Sequence, residues 1–211
     1  MSSGFHSPSA ASPIADLSYR GYDGPIKTRA IRFWIVSLAT LRLIRKKPLF
    51  WILAAFAALP ALLIAIQFYS LSMAQQSAGL AGPQAQSVSE FAQAADWQQL
   101  WLFFIALLAG AGTIAADNRT NALLVYLSKP LSKGDYLMGK WAGIAALLFA
   151  AGVVPLLVLY IFAALLYAGA GFVSHEPWLA MKIVCAAAVP AVVLSSVVLA
   201  VSAWCKSPIM A

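Results

Sequence analysis

Residues 140–168 read KWAGIAALLFAAGVVPLLVLYIFAALLYA, and no charged side chain follows Lys140 in this stretch. At about 1.5 Å per helical residue, the run is long enough to cross the roughly 30 Å hydrocarbon core of a bilayer. The rest of the chain is similar, because 62% of its 211 residues are hydrophobic and only 10% are charged. A soluble domain carries about 25% charged residues. The composition therefore excludes a soluble globular protein and indicates a membrane protein.

Three further apolar runs accompany this one, and each is long enough to cross the hydrocarbon core once. The predicted spans are about 49–71, 98–116, 140–168 and 178–204. Together they form the greater part of a transmembrane domain over residues 48–211. We expect an all-α fold, a polytopic membrane helix bundle with four spans and a cytoplasmic interfacial helix at the N-terminus.

The basic residues are distributed unevenly among the connections. Except for Lys182, every Lys and Arg lies before the first span, between the second and third spans or at the edge of the third, or after the fourth. By the positive-inside rule these segments face the cytoplasm. The sequence therefore predicts a multi-pass protein of the cell inner (plasma) membrane with both termini cytoplasmic. The formal charge of +7 then reflects orientation, and nucleic acid is not an expected partner.

Tryptophan side chains support the same spans independently, because indole rings concentrate at the two membrane interfaces. Six of them lie at or within a turn of a predicted span end: Trp51, Trp97, Trp101, Trp141, Trp178 and Trp204. Pro60, Pro155 and Pro190 fall inside spans, where each removes one helical hydrogen bond and predicts a kink. The span interiors contain no Asp, Glu, Arg or His, which disfavours ion-coupled transport.

Two segments precede the first span. Residues 1–24 are rich in Ser and Pro and predict a disordered cytoplasmic leader. Residues 25–47 predict an amphipathic helix in the cytoplasmic interface, because apolar residues recur at helical spacing opposite Arg29, Ser37 and Thr40. The apolar residues are Ile31, Trp34, Ile35, Leu38 and Leu41. The alternative is a basic anchor that only sets the topology.

The cytoplasmic connection 117–139 contains the apolar run 123–127, LLVYL, which a fully solvated loop would lack. We interpret it as a short amphipathic helix that docks on a cytoplasmic partner. The alternative is a re-entrant or membrane-surface hairpin. Next along the chain, Ser132-x-x-Asp135 has the pattern of a capping box at the start of the third span. Gly139-x-x-x-Gly143 has a spacing that lets two helices approach closely, although it also arises by chance in a glycine-rich chain.

Catalytic and metal-binding patterns are missing from the sequence. His6 and His175 stand far apart, and neither has a cysteine beside it. Residues 134–140 match the Gly and Lys spacing of a phosphate-binding loop, but Trp141 follows where that loop needs Ser or Thr. We therefore expect no cofactor, no metal and no enzymatic activity in this chain.

Residues 110–141, GAGTIAADNRTNALLVYLSKPLSKGDYLMGKW, resemble the permease subunits of ABC transporters of the type 2 export family. In that family the second span ends in a small-residue turn with an acidic residue, often Glu. A Thr- and Leu-rich short helix, a basic-Pro pair and a Gly-Lys pair at the third span follow. The matching positions are Gly110, Gly112, Asp117, Thr120, Leu123, Leu124, Leu127, Lys129, Pro130, Gly139 and Lys140.

This resemblance implies roles for two segments. Residues 25–47 would be the connecting helix, and residues 120–128 the coupling helix that receives the motion of a separate cytoplasmic ABC ATPase. The ATPase-coupling residues would be Asp117, Thr120, Leu123, Leu124, Leu127, Lys129 and Pro130. Family members usually have six spans and act as dimers, which implies a second permease copy or homologue as partner. Because the chain stops after the fourth predicted span, we expect either a fragment or a shortened architecture.

The expected function is therefore that of a membrane-spanning permease subunit of an ATP-driven exporter, with ATP hydrolysis on the partner. The alternative, from a different class, is a non-transport membrane anchor or assembly factor that recruits a cytoplasmic partner. An integral membrane enzyme ranks third, because clustered His, Asp or Glu residues are missing. Thr113, Ser195, Ser196 and Ser202 could line a substrate path, but each is better explained as an interhelical hydrogen-bond partner.

Overall fold

The computed structural model describes residues 29–78, 87–110, 133–168 and 171–204. Within these ranges the chain forms six helices and no strand. The helices are α1 (Arg29–Arg45), α2 (Pro48–Ala78), α3 (Ser87–Gly110), α4 (Lys133–Leu166), α5 (Phe172–His175) and α6 (Leu179–Trp204).

The predicted all-α membrane helix bundle is confirmed. Helices α2, α4 and α6 are each long and apolar enough to cross a membrane. Helix α3 starts at Ser87, well before the predicted second span, so Trp97 and Trp101 lie in its middle and not at an end. Residues 111–116 of that span lie outside the described ranges. The count of four spans and the predicted domain bounds stay predictions.

Aromatic contacts set the direction of α3 relative to α2. The rings of Phe56 and Trp101 stack with their centroids 4.7 Å apart, and the centroids of Phe68 and Phe91 are 6.1 Å apart. The aromatic pair nearer the start of α2 is therefore the pair nearer the end of α3. The two helices are therefore antiparallel.

Helix α4 runs antiparallel to α3 in turn. The side chain of Gln98 bonds to the carbonyl oxygen of Ala151 at 2.9 Å, and the ring centroids of Phe91 and Tyr160 are 6.5 Å apart. These contacts place the middle of α4 level with the middle of α3. The second half of α4 consequently lies beside the first half of α3.

On another side of α4, α6 also runs antiparallel to it. The indole nitrogen of Trp141 donates to Ser196 Oγ at 3.0 Å, and Gly152 lies against Ala187. The starts of α2 and α4 and the ends of α3 and α6 thus share one end of the bundle. Since α1 also packs there, we name this the α1 end, and the opposite one the far end.

Helix α1 packs on the first turns of α4 through the glycines of Gly139-x-x-x-Gly143. A Cβ atom built on Gly139 would lie 2.7 Å from Val36 Cβ, and one built on Gly143 would lie 2.9 Å from the carbonyl oxygen of Ser37. Both positions therefore need glycine for the helices to come this close. The close approach predicted from the motif is confirmed, and its partner is α1.

Apolar side chains both fill the bundle and cover it. One buried cluster near the α1 end includes Ile44, Leu102, Ile105, Ile144, Leu148 and Val198. A second towards the far end includes Ile64, Phe68, Phe91, Leu156, Leu159 and Ile183. The outer faces carry exposed Leu62, Val158 and Val193 among many others. An exterior of this kind suits lipid, whose tails are as apolar as leucine side chains.

We predict that Gly143→Ala destabilises the bundle whereas Gly152→Ala does not. The added methyl at position 143 meets backbone atoms of α1, and overpacking of this kind costs about 1–3 kcal/mol. At position 152 the nearest atoms are 3.4–3.5 Å from the added carbon, which is ordinary contact. The free energy of unfolding in mixed micelles, measured by detergent titration, checks both variants. Equal effects of the two substitutions would contradict the assigned contact.

Candidate functional site

The predicted coupling residues all fall in residues 111–132, which lie outside the described ranges. They are Asp117, Thr120, Leu123, Leu124, Leu127, Lys129 and Pro130. The structure does describe both points from which this segment departs, Gly110 at the end of α3 and Lys133 at the start of α4. Both points lie at the α1 end of the bundle. The predicted coupling segment is therefore joined to two core helices at the end where α1 packs.

Gly110 holds the end of α3 tightly against α6. A Cβ atom at this position would collide with the side chain of Val198, so only glycine permits the observed approach. Nearby, the ammonium of Lys47 lies 3.4 Å from the carbonyl oxygen of Leu108 in the last turn of α3. The last carbonyl groups of a helix lack partners within it and attract cations. The α3 end of the coupling segment is thus fixed by packing and by charge.

Helix α1 exposes the apolar stripe that the sequence predicts and buries the opposite face. Trp34, Ile35 and Leu38 are about half exposed, whereas Ser37 and Thr40 are buried against α4. The Thr40 hydroxyl donates to the carbonyl of Val36 at 2.9 Å, so its burial leaves the group satisfied. Leu41 is partly buried and Ile31 has no described side chain. Small polar side chains thus serve the helix contact, and the apolar stripe remains available to lipid.

Lys140 and Tyr136 of α4 form a cation–π contact at the α1 end. Lys140 is only 7% exposed, and its ammonium lies 5.0 Å from the centre of the Tyr136 ring. An ammonium over an aromatic face is attracted by the ring quadrupole, more strongly when water is excluded. The basic residue at the predicted start of the third span is therefore built into the bundle.

A shallow groove of about 350 Å³ runs between α4 and α6 near the same end. It is lined by Leu137, Met138, Trp141, Ser196, Leu199, Ala200 and Ala203. The Ser196 hydroxyl donates to the carbonyl of Val192 at 2.7 Å while it accepts from Trp141. Ser195, which is fully buried, donates to the same carbonyl. Only the bond from Trp141 to Ser196 joins two helices, because the bonds that Ser195 and Ser196 donate stay within α6. An interhelical hydrogen bond is therefore observed for Ser196. Within the described ranges, no group of three His, Cys, Asp or Glu side chains could hold a metal ion.

The buried Gln98 completes a hydrogen bond that the backbone of α4 cannot make. Pro155 has no N–H, so the carbonyl of Ala151, four residues earlier, has no helical donor. Gln98 is 2% exposed, and its Nε2 atom donates to that carbonyl at 2.9 Å. The side chain of α3 thus replaces the missing backbone amide of α4. At Pro155, a neighbouring helix therefore satisfies the carbonyl that the proline leaves without a helical donor.

We predict that the cost of Gln98→Leu depends on residue 155. With Pro155 present, the variant leaves a buried carbonyl without a donor and costs about 1 kcal/mol or more in the free energy of unfolding. In a Pro155→Ala background, the restored amide occupies that carbonyl, so the cost falls. A double-mutant cycle by detergent titration measures the difference. Gln99→Leu, an exposed neighbour, serves as the control and should show no such dependence. Additive effects of Gln98→Leu and Pro155→Ala would refute the pairing.

A comparison with known protein families identifies the family to which this chain belongs. A family model described as "ABC-2 family transporter protein" matches residues 34–211. No curated protein and no solved structure matches the chain significantly. The match covers α1 from Trp34 onward, all the other helices and the predicted coupling segment. The chain therefore belongs to the ABC-2 transporter family, as a permease component of an ABC transporter.

Proposed function

We propose that the chain couples ATP hydrolysis by a separate cytoplasmic ABC ATPase to the export of a substrate from the cell. Membership of the ABC-2 family carries this proposal, because its permeases associate with an ABC ATPase and are dimeric in general. The chain itself contributes the membrane component and is not catalytic. Its partners are the ATPase, a second permease copy or homologue, and the lipid of the plasma membrane.

The attachment of residues 111–132 supports a mechanical role for this segment. Its first end continues α3, which Gly110 fixes against α6, and its second end continues into α4, which carries α1 on Gly139 and Gly143. Gln98 joins α3 to α4 again halfway along the bundle. A displacement of the segment by the ATPase would therefore act on all three core helices together. Contacts that differ between two states of the ATPase would shift the bundle between two arrangements.

The proposed contact with the ATPase is apolar. Leu123, Leu124 and Leu127 would enter a cleft on the ATPase, while Asp117, Thr120, Lys129 and Pro130 set the ends of the short helix. Changes to side chains buried at the centre of an interface weaken it most, whereas residues exposed at its rim contribute little.

We predict that replacing Leu123, Leu124 and Leu127 with Asp abolishes copurification of the ATPase. The full chain is purified from its native membranes in mild detergent, and ATPase subunits with a Walker A loop are quantified by mass spectrometry. Asn118, Asn121 and Ser128 replaced with Asp add the same charge to the same segment and should retain the ATPase. Retention by the leucine variant would refute the coupling assignment.

The non-transport anchor remains the second candidate, and the same preparation separates the two. In a permease, a change in the packing of its own helices changes the rate of ATP hydrolysis by its partner. A passive anchor only retains the partner. An ATPase that copurifies but hydrolyses ATP equally with native chain and with Gly143→Ala would favour the anchor.

We also predict that both termini face the cytoplasm. In a chain without native cysteines, Ser77→Cys and Ser174→Cys at the far end should react with a membrane-impermeant thiol reagent in intact cells. Lys46→Cys at the α1 end should react only after permeabilisation. Each of these positions is exposed. The reverse pattern would invert the topology.

A further inference from the structure

The exposed apolar stripe of α1 ends in two arginines. Arg42 follows Leu38 by four residues and Arg45 follows it by seven, and both spacings return to the same face of a helix. Both arginine side chains are exposed, as is that of Leu38. The face of α1 that carries the apolar stripe is therefore cationic over its last turn.

Lys46 and Lys47 add two cations in the turn between α1 and α2. Lys46 is exposed, whereas the ammonium of Lys47 lies 3.4 Å from the carbonyl oxygen of Leu108. We call Arg42, Arg45 and Lys46 the basic corner. None of these three side chains makes a hydrogen bond or an ion pair with any residue that the structure describes. Nothing in the described part of the chain therefore neutralises their charge.

Only one acidic residue in the described ranges, Asp135, lies at the α1 end. It precedes Gly139 by four residues, and Gly139 contacts Phe33 while Gly143 contacts Thr40. Since residue numbers rise together along α1 and α4, Asp135 lies beside the start of α1 and not beside the basic corner. The other described acids, nearer the far end or in the middle of α3, are Glu90, Asp96 and Glu176. The basic corner is thus strongly positive.

Trp51 indicates the depth of the basic corner in the membrane. Its indole N–H donates to the carbonyl oxygen of Arg45 at 3.1 Å, and its side chain is 57% exposed. Trp51 belongs to the first turn of α2, which is long and apolar enough to cross a membrane. Indole rings at the ends of spanning helices lie at the level of the lipid headgroups. The guanidinium groups of the basic corner consequently lie at the depth of the lipid phosphates.

Exposed apolar side chains adjoin the basic corner and decide between a lipid and an acidic protein as its partner. Leu43 is 67% exposed, and Leu49 and Trp51 are about half exposed. A phospholipid carries a phosphate and apolar chains in one molecule, so it covers both kinds of side chain at this depth. Its headgroup must be anionic overall, because a choline group would bring a positive charge back to the cations.

We propose that the basic corner binds the headgroup of an anionic phospholipid such as phosphatidylglycerol. Arg42 and Arg45 donate to the phosphate oxygens, whose geometry suits the planar guanidinium group. Lys46 adds positive charge beside them, and the exposed Leu38 and Trp51 contact the apolar part of the lipid. Clusters of Lys and Arg next to a spanning helix are typical of sites for anionic lipids. This site does not depend on the proposed transport function.

Lipid titration of the purified full chain, followed by native mass spectrometry, tests the site. Dioleoyl phosphatidylglycerol should bind more tightly than dioleoyl phosphatidylcholine. Arg42→Gln and Arg45→Gln should each weaken phosphatidylglycerol binding by about fivefold, the effect of one cation at an anionic lipid surface, and change phosphatidylcholine binding much less. Lys182→Gln is the matched control, because it removes an exposed cation that is already paired with Glu176. It should leave both affinities unchanged.

Conservative variants separate the loss of charge from any disturbance of the helix. Arg42→Lys and Arg45→Lys keep the charge but lose the planar fork of donors. Each should bind phosphatidylglycerol more tightly than the Gln variant at the same position. Equal losses in the Lys and Gln variants would show that the site does not recognise charge and would overturn the proposal.

Two further outcomes would overturn the lipid site. One is an unchanged affinity for phosphatidylglycerol in the double variant Arg42→Gln, Arg45→Gln. The other is that same unchanged affinity together with loss of the copurifying ATPase, which would assign the basic corner to an acidic surface of that partner. A chain that binds no ATPase but retains the predicted lipid preference would instead refute the proposed function alone.

Discussion

Close approach of helix backbones is the constraint on which this bundle depends. Lipid provides no hydrophobic driving force between helices, so contact distance and hydrogen bonds must hold them together. Gly139 and Gly143 admit α1 to the surface of α4, and Gly110 admits α6 to the end of α3. The interhelical hydrogen bonds of Gln98 and Trp141 then lie between surfaces that glycine and small residues have already brought together.

Much of this fold could be predicted from hydropathy and spacing. The all-α bundle, the helix at residues 29–45 with its apolar stripe, and the glycine contact on α4 all follow from local patterns of residues. The helix that packs against Gly139 and Gly143 could not be predicted, because the glycine spacing identifies only the α4 side of the contact. The sequence places Ser37 and Thr40 opposite the apolar stripe of an interfacial helix, but it does not predict that this polar face is buried against α4.

The first half of α3 shows where hydropathy misleads. A search for continuous apolar residues places the start of the second span at Gln98, so Gln93 and Asp96 fall outside it. The signal that could have found them is helical periodicity: buried Phe91, Ala94, Gln98 and Leu102 recur at intervals of three or four residues, and Gln93 and Asp96 lie on the opposite face. The coupling residues are a different case, because their role follows from the family resemblance and their positions lie outside the described ranges.

The contact between α1 and α4 also constrains the order of events during synthesis. Gly139 and Gly143 follow Ser37 by about 100 residues, and chains grow at roughly 5–20 residues per second. For some seconds α1 has emerged from the ribosome while its partner surface does not exist. Its apolar stripe gives it a place at the membrane surface during this interval. The side of α1 that later packs on α4 is the polar one, so docking does not require the stripe to leave the lipid.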